Sequence, residues 1–195
     1  KGVEKDTESA KKYLEKAISF DNKNAKYLLA TIYLKEYDYA NIPQAIKWLE
    51  ESENPQALYL LGKEYLKGIL VEQDKKKAVH YLTLSAEQKN SYAMYALAKV
   101  FLNDINYMDP DKGISYLQNA SSLGNAQIML GNIYLKGEHV EKNVDAAISY
   151  LQMASDKNNS FAQYMLGKLF LFGKEVEQDK EKAKSYLEQA AIQGN

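Results

Sequence analysis

Apolar residues recur along the chain at offsets 0, 4, 5 and 8 from a set of alanines: Ala25, Ala57, Ala93, Ala126 and Ala162. The fourth residue on is Leu29, Leu61, Leu97, Leu130 or Leu166, and next comes a small one: Ala30, Gly62, Ala98, Gly131 or Gly167. The eighth is aromatic (Tyr33, Tyr65, Phe101, Tyr134, Phe170) and is followed by leucine in the first three copies and the last two alike. That spacing marks one face of an α-helix, here called helix A. The anchors are 32, 36, 33 and 36 residues apart, so the chain is a repeat array.

A second pattern alternates with the first. Ala10, Ala45, Ala78, Gly113, Ala147 and Ala183 are followed three residues on by Tyr13, Trp48, Tyr81, Tyr116, Tyr150 and Tyr186, each with leucine behind it. Four residues before each anchor stands Asp6, Asn41, Asp74, Asp109, Asn143 or Asp179. These are N-cap residue types, each contributing about 1 kcal/mol to its helix, and Pro110 fits a first helical position. This second helix is helix B. Five A and six B helices are predicted.

The small residue at A+5 has a packing reason, since helices crossing at about 8–10 Å need a position without a large side chain. Mid-helix glycine costs about 1 kcal/mol relative to alanine, which close approach by a neighbouring helix would offset. Gly68, Gly137 and Gly173 are placed to end helix A in a left-handed turn, with Val71, Val140 and Val176 folding back onto the pair. Glu36 and Asp104 replace that glycine in two copies, whose A–B connections are one residue shorter and are expected to turn differently.

The run Ala57-x-Tyr59-x-Leu61-Gly62-x-x-Tyr65-x-x-Gly68-x-x-Val71-x-x-Asp74, continued by Lys77-Ala78-x-x-Tyr81, resembles the Sel1-like repeat family, a relative of the tetratricopeptide repeat. Ala162 to Ala191 repeats it almost position for position, and the resemblance covers essentially the whole chain. It implies an all-α, right-handed α/α superhelix of antiparallel helix pairs. The expected organisation is a single array: a half repeat over 1–23 holding helix B alone, then pairs over 24–55, 56–91, 92–124, 125–160 and 161–195. The array opens before a helix B and closes in a B–A link at Gln193-Gly194-Asn195, so a segment of a longer protein is expected.

The resemblance also implies a non-enzymatic scaffold or adaptor, since such arrays in bacteria and elsewhere hold protein complexes together. Composition agrees with that. The chain has 195 residues, 25 Lys+Arg against 26 Asp+Glu and a net charge of -1, so no global basic field draws it to nucleic acid. It has no cysteine and two histidines in different repeats, giving no disulfide, no metal ligand set and no nucleophile–base pattern. Glu50, Glu51 and Glu53 make an acidic helix end that reads as solvated surface. No cofactor is expected. No apolar run is long enough to cross a membrane, and no basic-then-apolar leader opens the chain.

Two residue types mark candidate binding positions. Sixteen tyrosines against five phenylalanines is an unusual ratio, and twelve of the tyrosines occupy repeat positions, where packing with a hydroxyl reaching a polar partner accounts for them. Tyr27, Tyr59, Tyr95 and Tyr164 at A+2 face the concave groove in the geometry the resemblance implies. Positions A+6 and A+10 lie one turn apart on one helix face and carry Lys63, Lys99 and Lys168, and Lys35, Lys67 and Lys136. Tyrosine and lysine together suit an acidic peptide or a C-terminal carboxylate held against helix A. The alternative is a solvated face with lysines placed favourably near helix C-termini. Beside the scaffold stand two further readings: an accessory region of a nucleic-acid-processing protein such as a conjugation relaxase, whose lysine stripe would touch phosphate, and a structural spacer.

Overall fold

The structure is a computed structural model and describes residues 6–36, 40–52 and 54–193. Glu53 and the Gly194-Asn195 end of the expected terminal link lie outside the described residues, as do residues 37–39 of the first A–B connection. Eleven α-helices and no strands occur among the described residues, as the sequence predicts. The B helices are α1 (Thr7–Ile18), α3 (Ile42–Glu50), α5 (Lys75–Glu87), α7 (Pro110–Asn119), α9 (Val144–Ser155) and α11 (Lys180–Ile192). The A helices are α2 (Lys23–Glu36), α4 (Pro55–Lys67), α6 (Ser91–Asn103), α8 (Gly124–Lys136) and α10 (Ser160–Phe172). The chain divides into two units, Lys1–Ala93 and Met94–Asn195, with the division inside α6.

The paired helices run antiparallel: A+8 stacks on B+3 in all five pairs, while A+5 meets B+4 in the second, fourth and fifth and A+9 meets the B anchor in the third. A Cβ placed on Gly62, Gly131 or Gly167 would lie 2.6, 2.8 or 2.7 Å from the Cγ of Leu82, Leu151 or Leu187. That is below any real contact, so the leucine of helix B fills the space left by the missing side chain. The third pair inverts the arrangement. Its A+5 residue is Ala98, and the gap is at the B anchor, where Gly113 would bring a Cβ 2.6 Å from Leu102 Cγ.

The leucines at A+4 are fully buried in all five A helices, as are Leu49, Leu82, Leu117 and Leu151 at B+4. Each contributes about 2 kcal/mol through burial. Five aromatic stacks, one per pair, extend this core: Tyr33–Trp48, Tyr65–Tyr81, Phe101–Tyr116, Tyr134–Tyr150 and Phe170–Tyr186, with ring centroids 5.8 to 6.4 Å apart. Lysines Lys77, Lys112 and Lys182, each one residue before a B anchor, lie over the ring of the A-helix partner.

The tyrosine hydroxyls find partners in the preceding repeat at B+5. In the first unit, Tyr33 donates to Glu15 at 3.3 Å, and Glu50 accepts from both Tyr65 and Tyr81 at 3.2 and 3.3 Å. In the second unit Gln118 donates to the Tyr134 hydroxyl at 3.5 Å, and Tyr186 bonds to Gln152. Burial comes first, and the Glu50 charge second, in pushing the Tyr81 phenol up to about 12 and the Tyr65 phenol upward as well. The tyrosines at A+8, and those at B+3 other than the 75% exposed Tyr13, are thus structural.

Five of the six expected B caps are made: Asp6, Asp74, Asp109, Asn143 and Asp179 accept from the N–H three residues on at 2.9 to 3.1 Å. Asn41 holds the N-cap position of α3 without a side-chain cap bond, because its backbone is helical there (φ -102, ψ -4) and the other B caps are not. Gly68, Gly137 and Gly173 end their helices in the left-handed region. The loop then folds back, so that the N–H of Asp74, Asn143 or Asp179 donates to the carbonyl of the A+8 residue. In the third pair an Asx turn at Asp104, accepting from Asn106 N–H at 3.1 Å, replaces the glycine.

Candidate interaction surface

In the first unit most of the sequence-predicted positions are drawn into the fold. Tyr27 is half-buried against the core around Leu29 and Leu61. Tyr59 is half-buried and meets the exposed ring of Tyr92 at 5.9 Å, and burial raises its phenol above the ordinary range. Lys67 bonds at 3.3 Å to Glu64, a carboxylate 5% exposed. Glu64 holds the A+7 position, which is apolar in the other four A helices (Ile32, Val100, Ile133, Leu169). Lys63 is half-buried, and Lys35 is exposed at an open cavity it shares with Asp6 and Glu36. The basic stripe in this unit is therefore interleaved with carboxylates.

In the second unit Tyr95 is half-buried against the core that includes Leu102 and Leu117. Lys99 is exposed. Lys136 is paired with Glu138 at 3.2 Å, just past the end of α8. Tyr164 and Lys168 behave differently. The Lys168 ammonium lies 5.3 Å from the centre of the Tyr164 ring, a cation–π arrangement, and both side chains face outward on α10.

Around this pair the sequence breaks from the repeat. Phe161 stands at A-1 and Phe172 at A+10, the position that is Lys35, Lys67, Asn103 and Lys136 in the other copies. Phe161, Tyr164, Lys168 and Phe172 follow each other at three-, four- and four-residue steps, which is one helix face. Phe161 is 50%, Tyr164 40% and Phe172 59% exposed. Between this row and Leu135 of α8 lies an open cleft of about 500 Å³, floored by Met165 and Leu169 and rimmed by Lys168, Lys174 and Glu175. Glu175 bonds to Lys142, which leaves the two lysines to set the sign of the rim.

The sequence reading placed Tyr164 and Lys168 on a shared face and missed the two phenylalanines, because a repeat consensus discards the positions that depart from it. Neither a group of three or more His, Asp or Glu side chains placed to hold a metal ion, nor a helix long and apolar enough to cross a membrane, occurs among the described residues.

Comparison with known proteins gives Sel1 repeats along the chain and solved structures of the same helical-repeat fold. The Sel1 repeat family matches at residues 1–19, 23–52, 55–90, 91–125, 125–159 and 160–195. A Sel1 repeat protein from Oxalobacter formigenes superposes with a TM-score of 0.81 at 28% identity, over 100% of this chain and 58% of that one. A protective antigen present in uropathogenic Escherichia coli strains, which displays an SLR fold, gives 0.84 at 23% identity over 94% and 41%. An uncharacterized protein of Neisseria meningitidis serogroup B is 27% identical over 152 residues, 76% of this chain and 32% of its own length. The chain thus spans less than two thirds of each of these relatives. With six matched segments running from one end to the other, the chain belongs to the Sel1 repeat family.

Proposed function

We propose that this chain is a non-enzymatic protein-interaction scaffold that holds its partner on the exposed face of its A helices. Sel1 repeat proteins generally mediate protein–protein interaction, and stacked helix pairs offer extended surfaces in place of a catalytic pocket. The observation that carries the reading is the row of outward aromatic side chains on α10. Aromatic residues gathered into one contiguous exposed patch over an open apolar cleft, unlike rings exposed singly, mark interaction sites. Within each unit the A+6 and A+10 lysines are further candidate contacts, and the partner is a protein or peptide.

Site-specific photocrosslinking in the source cell tests this. Benzoylphenylalanine replaces Tyr164 or Lys63 on the A helices, and Lys76 or Ser149 on exposed B positions as controls. The same protein crosslinked from the A positions, absent from the controls, and lost in a folded Lys63→Glu, Lys99→Glu, Lys168→Glu variant is the expected result. Adducts from the B positions alone would place the partner on the opposite face. No protein adduct at any of the four would overturn the scaffold reading.

A further inference from the structure

We infer that the cleft between α8 and α10 is an anchor pocket for an acidic segment of a partner protein, which inserts one or two large apolar side chains and sets carboxylates on its rim. The inference rests on the scaffold reading and adds the chemistry of the occupant.

The floor decides the first half. Leu135, Met165 and Leu169 give an apolar base, and the rings of Phe161, Tyr164 and Phe172 wall it while remaining 40% to 59% exposed. At about 500 Å³ the cleft is in the range of ordinary ligand pockets and admits an aromatic or leucine side chain with its neighbour. Methionine in the floor lets the base adjust to either shape. Covering three half-exposed rings removes apolar surface from water, which is the favourable term for binding here.

The rim decides the second half. Lys168 and Lys174 stand at the edge of the cleft, and neither has a carboxylate within ion-pair distance among the described residues. The carboxylate closest to them in the lining, Glu175, is occupied by Lys142, and the neighbouring Lys136 and Glu138 neutralise each other. A basic segment would meet two uncompensated ammonium groups, whereas an acidic one would pair with both. Like-charge placement at an interface is strongly unfavourable, so the rim selects by sign as well as by attraction. Lys168 is already held over the Tyr164 ring, so less side-chain freedom is lost when a carboxylate arrives.

The test is selection of random dodecapeptides displayed on phage against the whole chain, followed by fluorescence polarisation with the recovered peptides. Enriched peptides are expected to carry an aromatic or leucine residue flanked by aspartate or glutamate. Their affinity should fall about tenfold or more in Phe172→Ser, and fall further as salt is raised. Phe172 is 59% exposed, so this variant keeps the fold, which circular dichroism checks. In a Lys168→Glu, Lys174→Glu variant the same selection should yield basic flanks. Basic or apolar-free peptides enriched on the unaltered chain, binding indifferent to Phe172→Ser, or no enrichment would each overturn the inference. So would a concentration-dependent dimer that Phe172→Ser abolishes, since the occupant would then be a second copy. Crosslinking from Lys63, which lies outside the cleft, tests the scaffold reading separately from these outcomes.

Discussion

Gly131 in α8 and Leu151 in α9 fit together as gap and filler: a Cβ on the glycine would come 2.8 Å from the leucine Cγ. Leu151 is fully buried and cannot move aside freely. The Ala147 carbonyl, at 3.3 Å from the same point, closes the other side. Gly131→Leu is therefore expected to cost about 3 kcal/mol through overpacking, more than offsetting the gain of roughly 1 kcal/mol in helix propensity. Thermal melting followed by circular dichroism checks it, and an unchanged melting temperature would contradict the packing.

Tyr134 and Tyr150 stack with centroids 5.8 Å apart and an interplanar angle of 8°. Offset aromatic pairs contribute about 1 kcal/mol beyond the area they bury. A double-mutant cycle with Tyr134→Leu and Tyr150→Leu in denaturant should return a coupling of that size. Additive effects would mean that the rings merely fill space.

Lys89 occupies the left-handed region at φ +63 in the turn between α5 and α6, a conformation that costs a side chain about 1 kcal/mol. Lys89→Gly is expected to raise stability by roughly that amount. Gly137→Ala should lower it, because φ is +72 there and a Cβ would press on Lys142 Cβ at 3.2 Å. The two substitutions, compared by urea denaturation, should move in opposite directions.

Acid should loosen the B-helix caps. Hydrogen bonds from the Lys112 side chain and N–H hold the Asp109 carboxyl below the ordinary range, and the Lys182 N–H does so first for Asp179. A depressed carboxyl gives stability that is present above its unfolded value, about pH 4, and lost as pH falls through the lower folded value. Melting temperature should thus hold from neutrality to about pH 5 and fall below pH 4. An Asp109→Asn, Asp179→Asn variant keeps a cap acceptor that does not titrate, so its acid limb should be shallower.

Alkali acts through the tyrosines with the opposite sign. The Tyr81 phenol titrates at about 12 in the folded chain, above the ordinary tyrosine value near 10. Its contribution is present below the unfolded value and is lost as pH rises through the folded one. Tyr81→Phe should flatten the decline between those two points in an alkaline melting series. An unchanged slope would show that the hydroxyl is not held protonated.

The fold was legible because the residues that make it recur. The A+4 leucines, the A+5 gaps, the B caps and the glycine stops could be read from spacing alone, and so could the helix order. The pairing of A+8 with B+3 could not, since each position shows an aromatic without showing what it touches. One further signal was present and unread. Asn22, Asn90 and Asn159 stand three residues before the A anchors and accept from the anchor N–H, and Asn54 caps α4 through Gln56 N–H. The cleft was the least legible part, because Phe161 and Phe172 carry it by departing from the pattern.

The gap and its filler lie within one helix pair in every instance, Gly62 with Leu82, Gly113 with Leu102, Gly131 with Leu151 and Gly167 with Leu187, whichever helix supplies the gap. A stretch of gene cut at two B–A turns would therefore carry a complete contact to its new place. Duplication or loss of a whole pair can lengthen or shorten such a chain without waiting for a matching change in its neighbours, while the inherited hydroxyl bonds between successive pairs would need only a polar residue at B+5 to re-form.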